Sequence, residues 1–307
     1  MDWDSGYIDA LITAALAEDV GSGDVAVAAT VSSKATLKAR IVTDEELVCA
    51  GLPLIERILG RPDPSVFVGL RSSEGQSVSG GVTLAALEGE ASAVLSGERT
   101  VLNFLCRLSG IATRTRRYVD AISGAGPRIC DSRNTTPGLR QLEQYAVRMG
   151  GGTHRRAGLF DAMVLTPAHI RVAGGVKAAL DQTHSHVSRL MSLLPLSAYE
   201  ATGTVPSGSE GNSLPVQIVI ENEPQLREAV SAGAASILFE DMRVDQVRQL
   251  TRMARNMRPD CIVQISGDIP LEGVRAYGES GVDYICPDTL TAGAPAVAIR
   301  LLVDGFE

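Results

Sequence analysis

The sequence has few of the features that would assign a protein to a class at once. Aromatic residues make up only 4% of the 307 positions, so a sizeable core must consist mainly of aliphatic side chains. No apolar run approaches the roughly 18 residues that a membrane-spanning helix needs. The five cysteines include no CxxC pair and lie mostly in apolar segments, which predicts reduced, buried thiols rather than disulfides or a zinc site.

Positive charge is also in short supply. The 28 lysines and arginines are outnumbered by 36 aspartates and glutamates, which gives a net charge of −8. This acidic total argues against nucleic acid or an anionic membrane as the main partner, although a local basic pocket remains compatible with it. The first residues show no basic stretch followed by an apolar one, so we expect no signal peptide and a cytoplasmic protein.

The first part of the chain, to about residue 95, shows the pattern of a small α+β unit. Apolar residues recur on one helical face between residues 6 and 18. Leu37, Ala39 and Ile41 then alternate with polar residues, as in a half-buried strand. Ser96 and Glu98 are residue types that begin helices, and a long helical pattern follows them.

The second half of the chain alternates between short apolar runs and helical patterns, which predicts parallel strand–helix units. The predicted strands are 128–130, 163–165, 216–220, 236–239, 261–265 and 284–286. The predicted helices between the later strands are 224–232, 244–257 and 271–280. Residues 203–215 are rich in glycine, serine and proline, and we expect them to form a mobile loop inside this domain.

Arginines flank one predicted helix that follows a strand end. Arg133 precedes this helix, and Arg155 and Arg156 follow it directly after Gly150, Gly151 and Gly152. Guanidinium groups bind carboxylates and phosphates because their forked N–H donors contact two oxygens together. In an α/β barrel, ligands bind where the carboxyl ends of the strands meet the loops. These residues therefore predict a pocket for a small anion with two or more negative charges.

Three segments in this region resemble the central motifs of the quinolinate phosphoribosyltransferase family: DSRNTTPGLR, GGGTHRRAGLFD and VLTPAHI. The resemblance extends to LAEDVGSGD near the start and TLTAGAPAVAI near the end. It implies an N-terminal α/β sandwich domain followed by an open α/β barrel of the type II phosphoribosyltransferase kind. We expect the first domain at residues 1–106 and the barrel at 107–289, with residues 290–307 packing on the first domain.

The resemblance also implies an activity. Members of this family join quinolinate to phosphoribosyl pyrophosphate with Mg²⁺, and they form nicotinate mononucleotide, CO₂ and pyrophosphate in de novo NAD synthesis. The working unit implied is a homodimer in which Arg99 reaches into the partner's site. The other substrate-binding positions implied are Ser132, Arg133, Asn134, Arg155, Arg156, Thr166, Ser266, Gly267 and Asp268. Glu240 is the candidate catalytic residue, and Glu240 and Glu221 are the candidate Mg²⁺ ligands.

Several positions depart from the family pattern. Asn134 and Thr166 stand where the family has lysines, and Val219 stands where it has a glutamate that faces the ribose. Asp268 and Asp288 appear in turns that are rich in glycine in the family, and an aspartate there would repel a phosphate. Three hypotheses remain open: an active enzyme, a paralogue acting on another substrate, and a protein that binds a small dicarboxylate or serves as a partner subunit.

Overall fold

The computed structural model describes residues 1–60, 66–154, 156–193 and 215–307. They form two compact units, the first made of Met1–Arg116, Tyr145–Gly151 and Ala294–Glu307, and the second of Arg117–Gln144 and Gly152–Gly293. The predicted domain boundary at 106/107 stays a prediction, because compactness alone does not define an independently folding domain. The predicted loop at 203–215 lies, apart from Pro215, outside the described residues.

The first unit is built on an antiparallel sheet with the strand order β12-β1-β5-β3. Its strands are β1 (Thr36–Thr43), β3 (Phe67–Leu70), β5 (Thr83–Glu90) and β12 (Ile299–Phe306). A second, smaller pairing joins β2 (Leu47–Val48) to β4 (Ser77–Val78). The helices before α4 are α1 (Gly6–Asp19), α2 (Val25–Thr30) and α3 (Pro53–Leu59). Because β12 pairs with β1 from Thr43 to Leu37, with one register shift between Lys38 and Ala39, the last residues of the chain belong to this unit.

Local sequence explains where these elements begin. Asp24 begins α2 because its carboxylate accepts hydrogen bonds from the backbone N–H groups of Ala26 and Val27, both at 2.9 Å. The long helix α4 (Ala91–Ala121) begins five residues before Ser96, so the predicted start was wrong. The reason is that Ala91 follows β5 directly, and its backbone N–H donates to the carbonyl of Ala35 at 2.9 Å. The chain therefore turns into the helix at the end of the strand.

The second unit contains a parallel sheet with the order β6-β11-β10-β9-β8-β7. The strands are β6 (Arg128–Ile129), β7 (Met163–Leu165), β8 (Val216–Val219), β9 (Ser236–Glu240), β10 (Ile262–Gly267) and β11 (Tyr284–Pro287). A parallel bridge between Cys130 and Thr153 extends the edge at β6. The fold is thus the predicted one, with a separate antiparallel sheet and an open parallel α/β barrel.

Helices connect the strands of the parallel sheet, as strand–helix alternation requires. Their bounds are α5 (Arg140–Met149), α6 (Pro167–Ala173), α7 (Val176–Leu193), α8 (Glu223–Ser231), α9 (Val244–Met257) and α10 (Val274–Gly278), with short 3₁₀ turns at Leu271–Gly273 and Asp288–Leu290. Within the described part of the chain, no helix is both long and apolar enough to cross a membrane.

The alternation of side chains along β9 shows how the sheet presents polar groups. Ile237 and Phe239 are completely buried on one face of the strand. Ser236, Leu238 and Glu240 lie two residues apart, so they share the other face, and all three line a cavity. The apolar face anchors the strand, which leaves the opposite face available for a binding site.

A close backbone approach in the first unit gives a stability prediction. Gly110 lies within α4, and a Cβ atom there would overlap the carbonyl oxygen of Pro295 and lie 3.2 Å from Cα of Ala296. Gly110→Ala should therefore lower the free energy of unfolding by about 1–3 kcal/mol through overpacking. Gly6→Ala is the matched control, because a Cβ atom at that helical position meets nothing within 4 Å. Urea unfolding of both variants checks this, and equal stabilities would contradict it.

Candidate active site

A cavity of about 300 Å³ lies within the second unit. Side chains of β7, β8, β9 and β10 line it, together with the loops that follow β6 and β11. Its charged lining residues are Asp131, Arg133, Arg156, Glu240, Asp241 and Asp288. The cavity thus contains both basic and acidic groups.

Arg133 and Arg156 are the basic groups of the cavity. Burial lowers the pKa of both guanidinium groups, and the neighbouring charge of Arg140 lowers each further. Arg133 also lowers the pKa of Arg156, so the two groups lie close enough to repel each other. Neither arginine forms an ion pair with a carboxylate among the described residues. Positive charge that is crowded and partly desolvated in this way favours an anionic ligand.

The loop that carries Arg133 is strained and tied down at several points. Arg133 has a φ of 66°, which costs a non-glycine residue roughly 1–2 kcal/mol. The carbonyl of Asn134 accepts hydrogen bonds from Ala292 N at 3.1 Å and from Thr291 Oγ1 at 2.9 Å. Glu143, which is fully buried, accepts from the backbone N–H and hydroxyl of Thr136. These bonds hold the guanidinium of Arg133 toward the cavity although its backbone is unfavourable.

Asp131 is the most buried charged residue of the cavity, with 3% of its surface exposed. Gln144 Nε2 donates to its Oδ2 at 2.9 Å, whereas its Oδ1 has no hydrogen-bond partner among the described residues. Burial raises the pKa of this carboxyl to about 6. Asp131 is the first residue of the DSRNTTPGLR motif, but the sequence alone did not suggest a role for it. Its position directly after a strand, beside an arginine, was the available signal.

Three carboxylates line the cavity besides Asp131: Glu240, Asp241 and Asp288. Burial raises the pKa of Glu240, and the charges of Asp241, Asp288 and Glu221 raise it further. Burial likewise raises the pKa of Asp288, with the charges of Asp241 and Asp268 adding to the effect. The like charges therefore destabilise one another. A cation, or a group that becomes positive during a reaction, would relieve this repulsion.

A neutral polar network also lines the cavity. Gln217 Nε2 donates to Ser236 Oγ and to Gln264 Oε1, both at 3.3 Å, and all three residues are buried. Sequence reasoning missed Ser236 and Gln264, although alternation along β9 and β10 places them on one face of the sheet. This network gives the cavity donors and acceptors for an uncharged polar part of a ligand.

The cavity brings together eight of the residues predicted from the sequence, namely Ser132, Arg133, Asn134, Arg156, Thr166, Glu240, Ser266 and Gly267. Glu221 and Asp268 are exposed and lie outside its lining. Arg99 belongs to the first unit, where it is exposed, and Arg155 lies outside the described residues.

Two of the positions that depart from the family have structural roles. Thr166 begins α6, and its backbone N–H donates to Nδ1 of His169 at 3.2 Å. Val219 is 1% exposed and does not line the cavity. The threonine therefore acts as a helix cap at the cavity edge, and the valine adds apolar packing rather than a polar contact.

The pKa of Asp131 gives a prediction on stability. The folded pKa of about 6 lies above the ordinary aspartate pKa of 3.8, so the folded chain keeps this proton at a higher pH than the unfolded chain. The resulting penalty on folding is complete above pH 6 and disappears as the pH falls from 6 to 3.8. Asp131→Asn should therefore raise the melting temperature more at pH 8 than at pH 4.5, by a difference worth on the order of 2 kcal/mol. Equal shifts at both pH values, measured by calorimetry, would contradict this assignment.

Comparison with known families gives matches over most of the chain. The family described as "Quinolinate phosphoribosyl transferase, N-terminal domain" matches residues 24–109. The corresponding C-terminal domain family matches residues 111–205 and 197–302. Both parts of the family's two-domain arrangement are therefore present in one chain and in the expected order.

Individual relatives give the same result. A probable nicotinate-nucleotide pyrophosphorylase (carboxylating) of Bacillus subtilis is 34% identical over 285 residues, which cover 92% of this chain and 89% of the relative. Its counterpart in Synechocystis is 34% identical over 296 residues, 96% of this chain and 92% of the relative. The crystal structure of nicotinate-nucleotide pyrophosphorylase from Ehrlichia chaffeensis superimposes with a TM-score of 0.84 at 27% identity, covering 96% of this chain and 98% of that one. The chain belongs to the quinolinate phosphoribosyltransferase family.

Proposed function

We propose that this protein is a quinolinate phosphoribosyltransferase, which converts quinolinate and phosphoribosyl pyrophosphate to nicotinate mononucleotide, CO₂ and pyrophosphate in NAD synthesis. The observation that carries the proposal is the meeting of Arg133 and Arg156 with a group of carboxylates in one cavity of the second unit. Membership of the family supports the same activity.

The arginines suit the acid substrate. Quinolinate carries two carboxylates on neighbouring ring positions, and two guanidinium groups can each donate a pair of hydrogen bonds to one of them. Arg133 Nε is buried and has no partner among the described residues, so a ligand can accept its hydrogen bond without breaking another. Dicarboxylate binding would also relieve the repulsion between Arg133 and Arg156.

The carboxylates of the cavity suit the transfer step. The ring nitrogen of quinolinate forms a bond to C1 of the ribose as the bond from C1 to pyrophosphate breaks, and the bonding electrons leave with pyrophosphate. Positive charge develops on the ribose during this exchange, and carboxylates such as Glu240 stabilise it. The carboxylate beside the ring nitrogen then leaves as CO₂, and the ring carbon retains the electron pair and takes up a proton.

The carboxylates are also suited to Mg²⁺ that arrives with the phosphorylated substrate. Mg²⁺ usually keeps several waters and binds one or two carboxylates together with substrate phosphates, rather than a cage made wholly of protein groups. Within residues 1–60, 66–154, 156–193 and 215–307, no three His, Cys, Asp or Glu side chains come together as a metal site. We therefore propose Glu240 as a direct ligand, with Glu221 acting through its charge. The ion would neutralise the departing pyrophosphate.

The assembly and location of the protein belong to the same proposal. We propose a homodimer in which the exposed Arg99 completes the partner's site, and a cytoplasmic location. An exposed guanidinium on α4 is available to reach a second copy of the chain, and the proposed substrates are small, soluble anions. Size-exclusion chromatography with light scattering would test the dimer.

The wild-type protein should bind quinolinate and, with Mg²⁺ and phosphoribosyl pyrophosphate, release CO₂ and form nicotinate mononucleotide. Calorimetry measures binding of each substrate, and carboxyl-labelled quinolinate measures CO₂ release. Binding of quinolinate without any release of labelled CO₂ would contradict the proposed enzyme and would favour the dicarboxylate-binding hypothesis instead.

Arg133→Ala should weaken quinolinate binding by about 1.5–3 kcal/mol, which is roughly tenfold to a hundredfold, because a charged hydrogen-bond donor is lost. Arg133→Lys should recover only part of that loss, since lysine retains the charge without the forked donors. The matched control is Arg171→Ala, which removes an exposed arginine of α6 outside the cavity lining. Equal affinity for quinolinate in Arg133→Ala and the wild type would refute the role assigned to this residue.

A further inference from the structure

The 266–268 turn, formed by the last two residues of β10 and the residue that follows them, lies beside the cavity, and Ser266 and Gly267 line it. Backbone N–H groups in turns at the carboxyl ends of parallel barrel strands are common phosphate ligands, because they donate hydrogen bonds without a side chain in the way. The donor substrate of the proposed function carries phosphate groups. Whether the N–H groups in this turn already have hydrogen-bond acceptors therefore affects how that substrate binds.

Asp241 already occupies this turn. Its Oδ1 accepts a hydrogen bond from the backbone N–H of Asp268 at 3.3 Å. Its own backbone N–H donates to the carbonyl of Ser266 at 3.0 Å. The carboxylate lies so close to Gly267 that a Cβ atom on this glycine would overlap Oδ1. A carboxylate of the protein is thus already the acceptor for a backbone N–H group of this turn.

The structure holds Asp241 in place at an energetic cost. Its φ of 51° lies in the left-handed region, which non-glycine residues rarely adopt. Tyr277 Oη donates to the carbonyl of the next residue, Met242, at 3.0 Å and so fixes the backbone beside it. Backbone strain that neighbouring contacts maintain is found most often where it serves a binding site.

We propose that Asp241 is a specificity-determining residue whose carboxylate occupies the anion position at the end of β10 and disfavours a phosphoryl group there. This inference rests on the proposed function, since it concerns the phosphorylated substrate of that reaction. A phosphoryl group that approaches the turn must displace the carboxylate from the N–H of Asp268 or bind without this donor. In either case it meets the negative charge of Asp241, to which Asp268 and Asp288 add theirs.

Two substitutions of Asp241 distinguish two effects of its carboxylate: the hydrogen bond that it accepts from the N–H group of Asp268, and its negative charge. Asp241→Gly removes both the carboxylate and the backbone strain, because glycine adopts positive φ freely, so the variant should fold. Asp241→Asn removes the charge and keeps an oxygen that can accept from Asp268. Asp245→Asn is the matched control, because it removes a charge from exposed Asp245 on α9, outside the cavity lining.

Calorimetric titration with ribose 5-phosphate tests the inference, with quinolinate titrated in parallel. Asp241→Gly should bind ribose 5-phosphate about tenfold more tightly than the wild type, and Asp241→Asn about threefold, as expected for a charged hydrogen bond and for one screened charge. Asp245→Asn should match the wild type in both titrations, and the gain in affinity of the Asp241 variants should be larger for ribose 5-phosphate than for quinolinate.

Unchanged ribose 5-phosphate affinity in both Asp241 variants would overturn the inference. This result is independent of turnover. A wild type that forms nicotinate mononucleotide while its Asp241 variants gain nothing retains the proposed function and loses this inference. If the wild-type protein shows no turnover but its Asp241 variants bind ribose 5-phosphate more tightly, the proposed function is lost and this inference is retained.

Discussion

Two guanidinium groups that lack an ion pair within the described residues, those of Arg133 and Arg156, share one cavity with a group of crowded carboxylates. Burial and neighbouring positive charge lower the pKa of both arginines, whereas desolvation and neighbouring negative charge raise the pKa of Glu240 and Asp288. Direct ion pairing between these opposite charges would offset the repulsion, and it would also occupy the site. The arginines instead remain without a carboxylate partner within 4 Å among the described residues, and the neutral network of Gln217 lines the same cavity, which makes the cavity receptive to a ligand that carries charges of its own.

The backbone is strained at two positions of the cavity. Arg133 and Asp241 are the non-glycine residues with positive φ in the described part of the chain, and both line the cavity. Hydrogen bonds to Asn134 O and Met242 O hold the two loops. One strained residue directs a cation into the site, and the other places a carboxylate on a backbone N–H group. We therefore expect the cavity to favour the binding of quinolinate and to disfavour the binding of the phosphorylated substrate.

The sequence predicted the fold and the basic residues of the site better than the rest. Strand–helix alternation and the motif around Arg133 are local patterns, so they can be recognised in the sequence alone. The Gln217–Ser236–Gln264 network depends on three strands whose registers set which side chains meet, and those registers are not visible in a single sequence. The contact of Asp241 with the 266–268 turn joins loops more than 20 residues apart, so the sequence indicated an aspartate in each loop and not which N–H group one of them occupies. Thr166 looked like a lost lysine, whereas the structure gives it a role at the start of α6.

A crystal structure of the protein with quinolinate tests the central claim most directly, because the claim concerns where a dianion lies in a cavity that holds both arginines and carboxylates. The account predicts that one carboxylate of quinolinate accepts hydrogen bonds from Arg133 and the other from Arg156, while both stay out of contact with the carboxylates of Glu240 and Asp241. Quinolinate bound outside this cavity, or within it but out of hydrogen-bond reach of both arginines, would contradict the account.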